Sequence, residues 1–148
     1  MACPYFMPTN RCEEGIWIHA ARLPLGAGWK GRCTAPGHEG SQPSNEEIRE
    51  FCNLGYASSC SRLPEDRSAD AIRFAVTRAG GDQLTICFVQ ELGHRPAGNG
   101  TLEYNLICGA WKSAHADPRV QKMAECFLQA YLMRRNPSAK AARTGASS

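Results

Sequence analysis

The chain has 148 residues, 43% of them hydrophobic and 21% charged, and its formal net charge at pH 7 is +3. These values are typical of one globular domain. No apolar run approaches the roughly 18 residues of a membrane span, and residues 1–20 lack the charged start and apolar stretch of a secretion signal. The charge is too small to indicate nucleic-acid binding without a basic patch. We therefore expect a cytoplasmic protein without membrane contact.

The first 65 residues are rich in proline, glycine and cysteine and show little periodicity. A strand is a candidate within residues 16–25. Ser44 and Glu47 have the spacing of a capping box, which predicts a short helix that ends near Gly55.

From residue 66 the pattern is regular. Apolar and polar residues alternate over 72–77 and over 84–89, which predicts two half-buried strands joined by a hairpin loop at 79–82. After a longer connection at 94–100, a third strand is predicted from residue 102 to about residue 110. Short links between strands favour an antiparallel meander.

A long helix is predicted to follow the strands. Asp117 and Pro118 suit its N-cap and first turn, and Asn136-Pro137 stops it. Its apolar stripe should cover one face of the sheet. The predicted fold class is therefore α+β: a three-stranded antiparallel meander packed by a C-terminal helix, with a loop-rich, cysteine-containing N-terminal region. We expect a single domain over 1–137, with a metal-binding region at 1–65, the meander and helix at 66–137, and a disordered tail at 138–148.

Eight cysteines are the most informative feature of the chain. A cytosol keeps thiols reduced, so this number favours metal binding or redox chemistry over disulfides. A chain of this length also needs no disulfide to fold. Three cysteines lie in predicted regular elements and are expected to be small buried hydrophobes, namely Cys87, Cys108 and Cys126.

The other five cysteines lie in the first 60 residues, near prolines, glycines or the end of a predicted helix. Several thiolates can converge on one centre only where the backbone bends, and Gly and Pro supply such bends. We predict four ligands: Cys3, Cys33, Cys52 and Cys60. Cys12 is less suited because two glutamates follow it, although it could take the place of Cys3.

The spacing of these cysteines bears on the metal. Structural zinc sites usually use ligand pairs two to four residues apart, and the chain has no Cys-x-x-Cys pair. The tight cysteine run of bacterial ferredoxins is also absent. We predict one [4Fe–4S] cluster. The alternatives are a zinc site, in which His38 could serve as a mixed ligand, and a metal-free protein. Aromatic residues near the cysteines could shield a cluster from water: Tyr5, Phe6, Trp29, Phe51 and Tyr56.

The leading function is a cytosolic iron–sulfur protein in electron transfer, redox sensing or support of a partner enzyme, which implies a redox or enzyme protein partner. If only three cysteines bound the cluster, an open iron could bind substrate, so the sequence leaves enzymatic activity open, as it does the oligomeric state. One alternative is a zinc-stabilised module that binds nucleic acid or protein, and a second is a metal-free thiol enzyme.

Two further motifs carry little weight. Residues 26–31 match the glycine pattern of dinucleotide-binding loops, but that motif needs a helix after it, and Pro36 and several glycines follow instead. A loop that bends the chain toward Cys33 is the better account. The basic residues near the C-terminus are Arg134, Arg135, Lys140 and Arg143. They should attract nucleic acid only weakly.

Overall fold

The computed structural model describes residues 2–12, 23–53 and 60–135. Its elements in chain order are β1 (Phe6–Arg11), β2 (Trp29–Cys33), α1 (Asn45–Glu47), a π-helical turn (Ile48–Cys52), β3 (Ala71–Gly80), β4 (Gln83–Leu92), β5 (Arg95–Asn105), β6 (Ala110–Ser113) and α2 (Pro118–Arg135). The fold is mixed α+β, with antiparallel sheets and a C-terminal helix, which confirms the predicted class.

The larger sheet has four strands in the order β3-β4-β5-β6, so the predicted three-stranded meander is wrong. The strand predicted over 102–110 is in fact parts of two strands, because the chain turns between Asn105 and Ala110. The Asn105 side-chain oxygen accepts hydrogen bonds from the N–H groups of Ile107 and Cys108. Gly109 completes the turn with a φ of 66°.

The predicted connection at 94–100 is also wrong, because most of it belongs to β5. Gly93 and His94 alone join β4 to β5, and their φ values of 58° and 66° are those of a tight hairpin turn. Glycines concealed the strand in the sequence. Gly100 lies opposite Phe88, and the Phe88 ring occupies the space that a Cβ at residue 100 would need.

A second, two-stranded sheet was not predicted. It pairs β1 with β2 antiparallel, with Phe6 opposite Cys33 at one end and Arg11 opposite Trp29 at the other. The predicted loop at 26–31 is therefore wrong from Trp29 onward. The strand considered within 16–25 lies largely outside the described residues.

The predicted helices begin where the sequence indicated. Ser44 and Glu47 form the expected capping box at the start of α1. Asp117 Oδ1 accepts the Arg119 N–H (2.9 Å), which confirms Asp117 as the N-cap of α2. No helix in the described ranges is both long enough and apolar enough to cross a membrane.

One hydrophobic core joins both parts of the chain. The inner face of the larger sheet, α2 and the two-stranded sheet all contribute to it, through residues such as Ile72, Met123 and Phe6. The rings of Phe74 on β3 and Phe127 on α2 stack with centroids 5.9 Å apart, so α2 covers one face of the sheet as predicted. Two backbone hydrogen bonds, of 2.7 and 2.8 Å, tie Ala2 to Ile72. The N-terminal segment is therefore anchored on β3.

Candidate metal centre

Four cysteines from separate parts of the fold line one small cavity. Cys3 precedes β1, Cys33 ends β2, Cys52 ends the π-helical turn, and Cys60 lies in the irregular segment that leads to β3. These are the four cysteines that the sequence analysis selected. The rest of the lining consists of Tyr5, Phe6, Pro43, Glu47, Phe51 and Arg62.

Backbone hydrogen bonds bring the first three cysteines together. The Cys3 N–H donates to the Cys52 carbonyl (3.1 Å), which joins the N-terminal segment to the end of the π-helical turn. The Thr34 N–H donates to the Tyr5 carbonyl (2.8 Å) just beyond the Phe6–Cys33 pair of the small sheet. The positions of Cys3, Cys33 and Cys52 therefore follow from the pairing of their own segments.

The fourth cysteine is held through its neighbour Arg62. The Arg62 guanidinium forms an ion pair with Glu47 of α1. The Ser44 N–H donates to Glu47 Oε1 (2.9 Å) and lowers the pKa of that carboxyl, and Arg62 lowers it further. The capping box of α1 thus orients the carboxylate that anchors the Cys60 segment beside Cys52.

Backbone N–H groups point at two of the sulfurs. The Ala35 N–H donates to Cys33 Sγ at 3.4 Å. The backbone N–H groups of Tyr5 and Phe6 lie near the Cys3 thiol and act to lower its pKa. Such N–H···S bonds stabilise a thiolate and tune a metal bound to it.

Burial opposes ionisation of two of the thiols. It raises the pKa of Cys3 from 9.0 to about 12, and the negative charges of ionised Cys33 and Cys60 add to the effect. Burial likewise raises the pKa of Cys52, and Cys3, Cys60 and Cys33 raise it further. The four sulfurs therefore share one electrostatic environment. Cys3 and Cys52 are protonated at neutral pH unless a cation replaces their protons.

Two arginines that the sequence analysis missed flank this environment. The pKa of Arg62 is raised, first by its hydrogen bond to Glu47 and also by Cys33 and Cys60. The pKa of Arg119 is raised, first by its hydrogen bond to Asp117 and also by Tyr5 and Cys3. The Arg119 guanidinium lies 5.1 Å from the centre of the Tyr5 ring. Arg62 is two residues from Cys60, but no local pattern marks its pairing with Glu47. Arg119 approaches Tyr5 and Cys3 only through the tertiary fold.

The cavity is small and its surface is apolar. Its volume of about 20 Å³ is room for roughly one water molecule. Within residues 2–12, 23–53 and 60–135, no three His, Cys, Asp or Glu side chains are grouped so that they could hold a metal ion. The thiols converge, then, without forming a ready-made site for a single ion.

Cys12 lies at the opposite end of the small sheet. Its N–H donates to the Gly28 carbonyl (2.8 Å). Cys33 is five residues further along the chain from Gly28, which corresponds to about 16 Å at roughly 3.3 Å per residue. The structure therefore does not bring Cys12 to the position of Cys3.

The remaining cysteines differ from one another in burial. Cys126 is buried in the core, as predicted. Cys87 is half-buried, since it alternates with Ile86 and Phe88 on β4 and lies on the other face. Cys108 is exposed in the turn between β5 and β6, so the prediction that it is buried is wrong.

Other candidate residues lie away from the cavity. His38, considered as a zinc ligand, is exposed in a turn, and its N–H donates to the Ala35 carbonyl. Of the proposed aromatic shield, Tyr5, Phe6 and Phe51 line the cavity, whereas Trp29 is buried against Asn53 and Tyr56 lies outside the described residues.

The glycine pattern at 26–31 leads into a strand and not a helix, so it lacks the geometry of a dinucleotide loop. In the basic tail, Arg134 donates to the Gly26 carbonyl, and Lys140 and Arg143 fall outside the described residues.

No family model, curated protein or solved structure matches the chain. Inference about function therefore depends on the chemistry of these side chains.

Proposed function

We propose that the protein is a cytoplasmic iron–sulfur protein whose Cys3, Cys33, Cys52 and Cys60 ligate one [4Fe–4S] cluster. The observation that carries the proposal is the convergence of four thiols, from four separate segments, on one apolar cavity. A cavity without chemical function would have no need of four cysteines, since any small apolar residue fills such a space.

Two features favour a cluster over a single zinc ion. The ligands come singly from four segments, whereas structural zinc sites usually draw on close pairs. The Ala35 N–H donates to Cys33 Sγ, and the N–H groups of Tyr5 and Phe6 act to lower the pKa of Cys3. Backbone N–H groups near the sulfurs tune the potential of a bound cluster.

One observation favours the second candidate, a zinc-stabilised interaction module. The space of about 20 Å³ between the side chains is smaller than a cluster core, whereas a single ion needs less room. For a cluster, the extra room has to come from outward movement of Cys33 and Cys60. Both are partly exposed whereas Cys52 is buried, so moving these two outward disturbs less of the core.

In such a site the thiols would act as ligands, and the neighbouring N–H and guanidinium groups would stabilise the negative charge. The four thiols hold the group, and the N–H groups of Tyr5, Phe6 and Ala35 stabilise the bound sulfurs. The guanidinium groups of Arg62 and Arg119 offset the negative charge of the thiolates. The bound cluster would supply one-electron redox chemistry. Because all four ligands come from the protein, we propose electron transfer, redox sensing or support of a partner protein as its role, and not catalysis at an open iron.

Metal analysis of the purified protein tests the proposal. Under anaerobic conditions we expect iron and acid-labile sulfide in equal amounts and a broad absorption near roughly 400 nm. Replacing any of the four ligands by alanine should remove most of the iron. Cys12→Ala and Cys87→Ala are the matched controls and should retain it. Colourless protein with one zinc per chain would establish the second candidate, and loss of iron in the controls would refute the assignment of ligands.

A further inference from the structure

A long groove with a mixed polar and apolar lining shares no residue with the cysteine cavity. The groove has a volume of about 670 Å³ and runs between the C-terminal half of α2 and the larger sheet. Leu128 and Leu132 of α2 form one wall, and Leu84, Tyr104 and Leu106 form the other. Glu125 and Arg135 bound its helical wall, which is about 15 Å long at 1.5 Å per residue.

An exposed apolar turn stands beside this groove. Leu106 lines the groove and is 39% exposed, and the next residue, Ile107, is 80% exposed. The turn is held firmly, because Asn105 Oδ1 accepts the N–H groups of Ile107 and Cys108, and the Leu106 N–H donates to the Asp82 carbonyl. Leu106, Ile107 and the leucines that line the groove make this face more apolar than an isolated exposed side chain would, and contiguous exposed apolar surface is typical of an interaction site.

We propose that a second copy of this chain covers this face and forms a symmetric dimer. In a two-fold interface the same patch meets itself, so a projection and a recess on one face can fill each other twice. Ile107 supplies the projection, and the groove beside Leu106 supplies the recess. Each Ile107 then enters the groove of the other subunit.

Charge complementarity supports the same arrangement. Glu125 and Arg135 stand at opposite ends of the helical wall. If the two α2 helices approach antiparallel about the two-fold axis, Glu125 faces Arg135 of the partner subunit, and the converse pair forms at the other end. The face therefore complements itself in charge as well as in shape.

Other occupants explain less. A small apolar ligand could fill the groove but would leave Ile107 in water. Residues 136–148 follow α2 directly, but their apolar side chains are only alanines and one proline. That segment offers no large apolar side chain with which to fill the recess.

Sedimentation equilibrium over a wide range of concentration tests the dimer. We expect a mass of twice the 16.2 kDa chain for the wild type and a monomer for Ile107→Glu. Ile107 is so exposed that the variant should fold, which circular dichroism checks. Leu92→Glu is the matched control, because Leu92 is also an exposed apolar residue, and it should remain dimeric. A monomeric wild type, or dissociation of the control alone, would overturn the proposal.

Charge reversal tests the antiparallel arrangement separately. Glu125→Arg and Arg135→Glu should each raise the dimer dissociation constant by roughly threefold to tenfold, the scale of exposed ion pairs. The double variant should recover most of the wild-type affinity, because both pairs are restored with the charges exchanged. A double variant that dimerises no better than the single variants would count against the proposed interface. None of these measurements depends on the metal content of the protein.

Discussion

At the scale of single residues, the raised pKa values of the buried thiols make metal binding less favourable, because the thiols must lose their protons. A metal ligand must be a thiolate, yet burial keeps the pKa of Cys3 at about 12 and raises that of Cys52. Each metal that binds therefore displaces at least the protons of these two residues near neutral pH. Binding strength and pH are coupled through them.

This coupling predicts a steep pH dependence. For Zn²⁺ or Co²⁺ titrated into the metal-free protein, the logarithm of the affinity should rise by two or more for each pH unit between about pH 6 and 8. The sign follows from the raised pKa values, because both thiols are protonated throughout this range and each must lose a proton. Competition with a coloured chelator at several pH values measures the slope. A slope near zero would mean that these two thiols do not ligate the metal.

Asn53 has a different role, since it joins elements behind the site. Its side chain accepts the Trp29 N–H (3.0 Å) and donates to the carbonyls of Trp29 (3.0 Å) and Ile48 (2.9 Å). It is only 1% exposed. It therefore fastens β2, which ends in Cys33, to the π-helical turn, which ends in Cys52.

Replacing this residue should weaken the whole fold. Asn53→Ala leaves buried backbone groups of Trp29 without partners, and we expect a loss of roughly 2–4 kcal/mol in the free energy of unfolding. Asn10→Ala is the control, because Asn10 is exposed on β1, and it should change stability by no more than about 0.5 kcal/mol. Urea denaturation of both variants decides the point. Equal stability of the two variants would show that the Asn53 hydrogen bonds do not stabilise the fold.

At the scale of elements, the pairing of β1 with β2 determines where Cys33 lies. Gly31 is the residue that permits the close pairing, because a Cβ there would overlap the Met7 carbonyl and press on the Phe6 ring. Sequence reasoning missed this sheet since β1 contains Pro8 and a register shift between Pro8 and Asn10, which break the alternation of a regular strand.

We expect Gly31→Ala to disrupt the small sheet and to reduce bound metal along with stability. Gly80→Ala is a suitable control, because nothing lies within 4 Å of a Cβ built at Gly80. Metal content and the thermal unfolding midpoint should fall in the first variant and stay near the wild type in the second. Full metal content in Gly31→Ala would show that the pairing of β1 with β2 does not position Cys33.

Elements with strong local signals were the ones that the sequence predicted well. The alternation in β3 and β4 and the caps at Ser44 and Asp117 depend on neighbouring residues only. The start of β5 was missed because its glycines make sense only once Phe88 lies across from Gly100. Packing across two paired strands is not visible in the residue pattern of either strand alone.

The same contrast applies to the site. The four cysteines could be selected from their irregular surroundings, and they line one cavity. The contributions of Arg62, Arg119 and Asn53 could not be predicted, because their partners Glu47, Tyr5 and Trp29 lie far from them in the sequence. The exposure of Cys108 also depends on a turn whose length the apolar pattern concealed.

At the scale of the whole molecule, one core supports both the site and the larger sheet. Cys52 itself belongs to the cluster of buried residues that includes Ile72 and Met123. The cavity lies against this core and not in a separate lobe. We therefore expect bound metal to stabilise the entire described fold, because a ligand that binds only the folded state raises its stability.

Whether the four cysteines hold a cluster is decided by quantitative iron and acid-labile sulfide analysis of anaerobically purified protein. We expect about four iron and four sulfide per chain in the wild type and in Cys87→Ala, and little of either in Cys52→Ala or Cys60→Ala. Wild-type protein that contains neither iron nor sulfide after anaerobic preparation, or equal metal loss in all three variants, would contradict the proposed cluster.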